Sequence, residues 1–326
     1  MNLSKNQLLT FTSMGITSAV LAFPLKALST QLSQATTPQS VPVEPTAQVN
    51  VFQAIFLGFV QGLTEFLPIS STAHLKVVPV VLGWGDPGVA FTAVIQLGSI
   101  AAVLWYFWRD IRNITLGAIA AIARKDYQDN DFRIAVGIGL GTLPIIFFGL
   151  LIKKFIPDFD NSPIRSLAAI AIASIVMSLL LGLAEKLGTR KRDFNKLGMK
   201  DGVLMGLAQA MALIPGVSRS GSTLTAGLFM GLERGTAARF SFLLGIPAIT
   251  LAGLVELKGV LEEGFAGTGF LSLIAGVISA AVFSYLAIAW LLRFLQTQST
   301  WVFIWYRLAF GVAILSAIAA GWLKNI

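Results

Sequence analysis

Pro215-Gly216-Val217-Ser218-Arg219-Ser220-Gly221-Ser222-Thr223 interrupts an apolar stretch, and its reading decides the fold. Proline and glycine end the incoming helix, and the Ser/Thr run starts another. The flanking apolar segments, 202–213 and 222–232, are each too short to cross about 30 Å of hydrocarbon. Irregular backbone at membrane depth is tolerated only where protein buries it or water bathes it. The segment therefore reads as a re-entrant hairpin over 202–232, entering and leaving one face. A Pro-kinked pair of ordinary spans is the plainer alternative.

Leu67-Pro68-Ile69-Ser70-Ser71-Thr72 repeats the design between two further short segments, giving a first hairpin over 51–82. Three longer apolar segments follow each hairpin. They cover about 90–107, 134–152 and 166–184 after the first, and about 237–257, 270–292 and 302–323 after the second. The amphipathic stretch 114–123 reads as a helix lying on the inner leaflet. Composition agrees with an all-α polytopic membrane protein. Of 326 residues, 55% are apolar and 12% charged, about half the charge of a soluble domain. Zero Cys excludes disulfides and thiol chemistry, and a single His excludes a multi-histidine metal centre. The net charge of +8 reads as basic cytoplasmic loops, not as a nucleic-acid surface.

Residues 1–29 resemble a signal peptide or an uncleaved signal anchor, with Lys5 ahead of the apolar run 8–23. Cleavage after Ser29 stays open. Residues 30–50, rich in Gln, Thr, Pro and Ser, read as a flexible tether. Lys5 keeps its end in the cytoplasm, so the membrane body starts outside. With two re-entrant hairpins, Arg109, Arg112, Arg124, Lys125 and Arg133 then fall inside. So do Lys186, Arg190, Lys191, Arg192, Lys196, Lys200, Arg234, Arg239 and Arg293. The outer connections keep Lys153, Lys154, Arg165 and Lys258, offset by Asp158, Asp160, Glu262 and Glu263. Counting one hairpin as a true crossing would put a basic loop outside, against the usual bias.

The chain also repeats internally. Gly58 aligns with Gly206 and Gln61 with Gln209, and Pro68 meets Pro215 after a one-residue gap. Each half, 51–201 and 202–326, is one hairpin plus three spans. Three crossings are odd, so the halves read as inverted repeats about an axis in the membrane plane, with both tips near the midplane.

The tips are polar. Gln61 and Glu65 lie one helical turn apart on one face, ahead of Ser70, Ser71, Thr72 and His74. A carboxylate inside a membrane is functional by default, although an interfacial Glu with a water partner is the bland alternative. The lone His74 is either a packed core residue or part of the chemistry. In the second tip, the free N–H groups and positive dipole end of the new helix favour an anion. Ser218, Ser220, Ser222 and Thr223 add hydroxyls, Gly221 adds its N–H to the tip's donors, and Arg219 suits a pair of phosphoryl oxygens. The same residues could act only as helix caps. Two matched tips with one Arg, one Glu and one His point to phosphate or diphosphate.

Gln61-Gly-Leu-Thr-Glu-Phe-Leu-Pro-Ile-Ser-Ser-Thr-Ala-His74 and Pro215-Gly-Val-Ser-Arg-Ser-Gly-Ser-Thr223 resemble the two signatures of the bacterial undecaprenyl-diphosphate phosphatase family, the bacitracin-resistance proteins. The resemblance covers residues 51–323. It implies a fold of two re-entrant hairpins and six spans. It also implies hydrolysis of undecaprenyl diphosphate to the monophosphate on the outer face of the plasma membrane. That reaction recycles the lipid carrier for peptidoglycan synthesis and lowers bacitracin sensitivity. Carried over residue by residue, the resemblance marks Glu65, Ser71, His74 and Arg219 as catalytic. Asp201, just before the second hairpin, matches a family Asp and is equally well a helix cap. Gln61 stands where some members have Glu, which puts a two-carboxylate metal site in doubt.

These residues suggest Arg219 and the tip N–H groups as phosphate ligands, with Ser70 and Thr72 repeating the design in the first tip. Glu65, with Gln61, is the candidate ligand of Mg²⁺ or Ca²⁺. The nucleophile is Ser71, His74 or a metal-bound water, with His74 or Glu65 as base for the serine route. A lipid-phosphate flippase or anion carrier would share the hydropathy and the polar tips. Prenyl chain length and assembly as a homodimer stay open.

Overall fold

The computed structural model describes residues 48–156, 159, 162–263 and 268–325. The signal segment 1–29 and most of the tether 30–50 lie outside them. Eleven α-helices are present among the described residues, with no strand. They are α1 (Val51–Phe66), α2 (Ser71–Val81), α3 (Gly88–Tyr106), α4 (Trp108–Arg124), α5 (Asn130–Phe155) and α6 (Leu167–Leu187). Then come α7 (Met199–Ala210), α8 (Arg219–Phe229), α9 (Arg234–Glu263), α10 (Phe270–Thr297) and α11 (Trp301–Ala319). Helices α3, α5, α6, α9, α10 and α11 are long and apolar enough to cross a membrane. Many apolar side chains on them stay exposed, including Phe147, Leu150, Leu179, Val255 and Leu286, as lipid-facing residues do. α4 is the surface helix. It buries Ile114, Ala118 and Ala121 and exposes Trp108, Leu116, Ile119 and Ile122.

The two short-helix pairs match without a gap. Val51 and Met199 start the first helices, Ser71 and Arg219 start the second, and Val81 and Phe229 end them, each pair 148 apart. The prolines are therefore not the matched positions. Gly216 stands opposite Pro68, and Ser70 stands opposite Ser218. The backbone confirms this register, because Ser70 has φ 75° and Ser218 φ 72°. Non-glycine residues rarely adopt such angles, and two at equivalent places mark built strain. The second hairpin also begins earlier than residue 202. Asp201 consequently lies inside α7, where its carboxylate accepts from Gly198 N–H at 2.9 Å.

Small residues set the packing. A Cβ at Gly58 or Gly62 of α1 would overlap α10 at Gly276, Ser279 and Ala280. A Cβ at Gly202 or Gly206 of α7 would overlap the α5 backbone at Gly137 and Gly141. Such small-xxx-small faces let backbones touch where lipid supplies no hydrophobic drive for helix association. Contacts advance in step along both members of each pair, so α1 runs in the direction of α10 and α7 in that of α5. Ion pairs fasten one set of helix ends. Glu185 of α6 holds Arg190, Arg234 and Thr300, Asp110 holds Arg239, and Asp201 holds Arg192 at 2.7 Å. The Asp201 hydrogen bonds raise the Arg192 pKa above the ordinary guanidinium value.

Gly206→Ala should overpack the α5–α7 crossing and cost about 1–3 kcal/mol, read as a lowered melting temperature in detergent. Gly139→Ala, on the open face of α5 with nothing within 4 Å of its Cβ position, should leave melting unchanged.

Candidate active site

The tips of the two hairpins meet. Arg219 is the first residue of α8 and Glu65 sits in the last turn of α1. Arg219 Nη2 donates to Glu65 Oε1 at 3.3 Å, with both side chains about nine-tenths buried. Glu65 Oε2 accepts from Ser71 Oγ at 2.7 Å and from Gln61 Nε2 at 3.2 Å. Gln61 also donates to Ser99 Oγ of α3 at 3.4 Å, and Ser99 accepts from Ser284 of α10 at 2.8 Å. The carboxylate thus has fixed donors on both oxygens, as a buried anion requires. Arg219 keeps Nε and Nη1 buried without a protein acceptor among the described residues.

A cavity of about 210 Å³ opens between the tips. Glu65, Ser70, Ser71, Thr72, Ser218 and Arg219 form its polar wall, joined by Gln96 of α3. The rest of the lining is largely apolar, from Ile145, Leu213, Ile214, Ala248, Ile249 and Ala252. A lipid with a charged head has this chemistry. The amino ends of α2 and α8 differ. Ser70 makes no cap bond, so the first N–H groups of α2 are left open, while Ser218 Oγ accepts from Gly221 N–H at 3.1 Å.

Other expected residues face elsewhere. Ser220 Oγ donates to Leu67 O at 2.9 Å, tying the second tip to the first. Ser222 and Thr223 donate to Arg219 O, and Thr223 also bonds Ser241. These two hydroxyls do not line the cavity. Nor does His74, whose ring is fixed twice. Its Nδ1 lies 2.7 Å from Ser70 O, which can only accept, so Nδ1 carries the proton. Its Nε2 lies 2.6 Å from Tyr306 Oη, and Phe310 stacks on the ring at 4.4 Å. His74 therefore holds the carbonyl of the strained Ser70, while the partner of Ser71 Oγ is Glu65. Asp201 caps the far end of α7 from the tip and contacts Arg192, away from this group.

Sequence reasoning passed over Gln96, Tyr306 and above all Arg307. A lone arginine within the apolar run of α11 was the available signal for the last. Gln96 and Tyr306 carry no such mark.

Gly245 of α9 leaves room for the guanidinium of Arg219, since a Cβ there would overlap Arg219 Nη1. Gly245→Ala should therefore push Arg219 off its position and lower turnover at least about tenfold while melting changes little. Parallel activity and melting curves check this.

Residues 54–313 match the family described as Bacitracin resistance protein BacA. An undecaprenyl-diphosphatase of Trichormus variabilis is 73% identical over 307 residues, covering 94% of each chain. One of a Nostoc species is 77% identical over 278 residues, 85% of this chain and 87% of the relative. One of Gloeobacter violaceus is 56% identical over 279 residues, 86% of this chain and 96% of the relative. With both hairpin tips inside the matched region, the chain belongs to the bacitracin resistance protein BacA family.

Proposed function

We propose that this protein is an undecaprenyl-diphosphatase of the bacterial plasma membrane, with its pocket open to the outer side. One observation carries the reading. Arg219, which keeps two guanidinium nitrogens without a protein acceptor among the described residues, lines one cavity with the hydrogen-bonded Ser71–Glu65 pair, and the lining is part polar and part apolar. A diphosphate head would sit against the polar lining, and the apolar lining would take the start of the prenyl tail. High identity to proteins named undecaprenyl-diphosphatase supports the same substrate.

In the proposed reaction Ser71 Oγ attacks the terminal phosphorus and gives its proton to Glu65. The bond from that phosphorus to the bridging oxygen breaks, and the lipid monophosphate leaves. Water then releases phosphate from the serine. Arg219 and the open N–H groups at the start of α2 would carry the charge developing on the phosphoryl oxygens. His74 acts by position, through the Ser70 carbonyl.

A divalent cation suits the donor chemistry. No group of three His, Asp or Glu is available for it among the described residues, so the protein alone forms no cage. Glu65, Ser71 and the amide oxygen of Gln61 would hold it, once the Gln61 amide turned its nitrogen away from Glu65. Phosphate oxygens and water would complete a shell of the kind Mg²⁺ and Ca²⁺ use. When bound, it supplies further neutralisation of the phosphate charge.

The inverted arrangement of the halves belongs to the same proposal. Its support is reciprocal packing: the first hairpin lies along a helix of the second half, and the second hairpin along a helix of the first. Such an arrangement lets hairpins enter from opposite faces and meet midway.

Purified protein in detergent should release phosphate from undecaprenyl diphosphate much faster than from a soluble diphosphate, and EDTA should slow it. A flippase or carrier would release none. Arg219→Ala should lower kcat about 10²–10³-fold, as loss of a donor to a developing oxyanion does. Radiolabel from the terminal phosphate should be trapped on the wild type and not on Ser71→Ala. Label retained by that variant would rule out the serine route.

A further inference from the structure

Arg307 is the largest completely buried side chain among the described residues, with 1% exposure. It belongs to α11, a spanning helix outside both hairpins. Its Nη1 donates to Pro68 O at 3.0 Å, in the turn of the first tip. Its Nη2 donates to Gly216 O at 2.9 Å and Val217 O at 3.1 Å, in the turn of the second. Its Nε donates to Ser174 O of α6 at 3.3 Å. The tip carbonyls lie one or two residues ahead of Ser70 and Ser218, the non-glycine residues of positive φ at the two tips.

All four partners are neutral, and among the described residues no carboxylate pairs with Arg307. A buried cation without a counterion is costly, and deep in a membrane protein more so. A neutral donor could satisfy one or two carbonyls without that cost. The planar fork of arginine reaches both turns at once and brings a charge with it. In the pocket itself Glu65 is already matched by Arg219. The tip region therefore holds one positive charge in excess before any substrate arrives.

We propose that Arg307 is a positioning residue of the active site, which clamps the two strained tip turns into one pocket and provides an uncompensated charge that the bound diphosphate neutralises. This rests on the reading of the pocket as a diphosphate site. Clamping places Ser71 and Arg219, which follow directly on the strained serines, on the same phosphoryl group. The excess charge makes the empty pocket the less favourable state and the polyanion its natural occupant.

The test uses the full-length protein in detergent, with undecaprenyl diphosphate as substrate and inorganic pyrophosphate as an anion probe read by thermal shift. Arg307→Lys keeps the charge and loses the fork. Its kcat should fall about 100-fold, while KM and pyrophosphate affinity stay within about threefold. Arg307→Gln loses the charge, so its pyrophosphate affinity should fall at least about tenfold as well. A purely structural role would reduce the folded yield and leave kcat and pyrophosphate affinity of the folded protein unchanged. Should both variants fail to fold, Gly221→Ala decides, because its Cβ would stand 2.8 Å from Arg307 Nη1. It should lower kcat about tenfold at constant KM. Wild-type kcat in the Lys variant or in Gly221→Ala, or unchanged pyrophosphate affinity in the Gln variant, overturns the proposal. If the wild type itself releases no phosphate, the diphosphatase reading falls, and the pyrophosphate arm still decides the role of Arg307.

Discussion

A carboxylate from one hairpin and a guanidinium from another meet out of water, and the rest of the molecule serves that meeting. Separately, Glu65 and Arg219 would each be a buried charge costing several kcal/mol. Together, 3.3 Å apart, they neutralise one another and leave two guanidinium donors and a serine hydroxyl over for chemistry. The pair forms only if both tips stop at the same depth and face each other. Every larger feature of the fold can be read as a means to that end.

Depth is set by small residues. Glycine faces on α1 and α7 let each short helix lie backbone to backbone against a long one, which fixes how far it travels before it turns. The turn is then held from several sides. Arg307 binds carbonyls of both tips, Ser220 binds Leu67 O, and His74 binds Ser70 O. Three side chains thus hold the turns that carry the two strained serines. Strain of this kind persists only where the surroundings over-determine it. In return the first residues of α2 and α8, Ser71 and Arg219, are aimed into one cavity.

Much of this was legible in the amino-acid chain. Pro-Gly and Ser-rich breaks flanked by segments too short to span located both hairpins, and the long apolar runs located the six spanning helices. Gln61, Glu65, Ser71 and Arg219 were named from their place at the breaks, and the fold brings them together. What the one-dimensional reading missed depends on direction. Ser222 and Thr223 follow Arg219 by three and four residues, so they share its face of α8 one turn further along, beyond the cavity lining. Their hydroxyls return to Arg219 O. Proline was matched to proline because identity is visible in sequence, whereas the shared positive φ of Ser70 and Ser218 is not. Arg307 lies 239 residues from the Pro68 carbonyl it holds, and hydrogen bonds to backbone leave no pattern in side-chain order.

The chain contains no cysteine, so a pair placed at the tips can report on them alone. Leu67 and Ser220 are in contact across the two hairpins. In native membranes the double variant Leu67→Cys, Ser220→Cys should form an intramolecular disulfide under mild oxidation, seen as a mobility shift reversed by reductant. A pair that stays reduced while single-cysteine labelling shows both thiols accessible would mean that the tips do not share one pocket, and the account would fail with it.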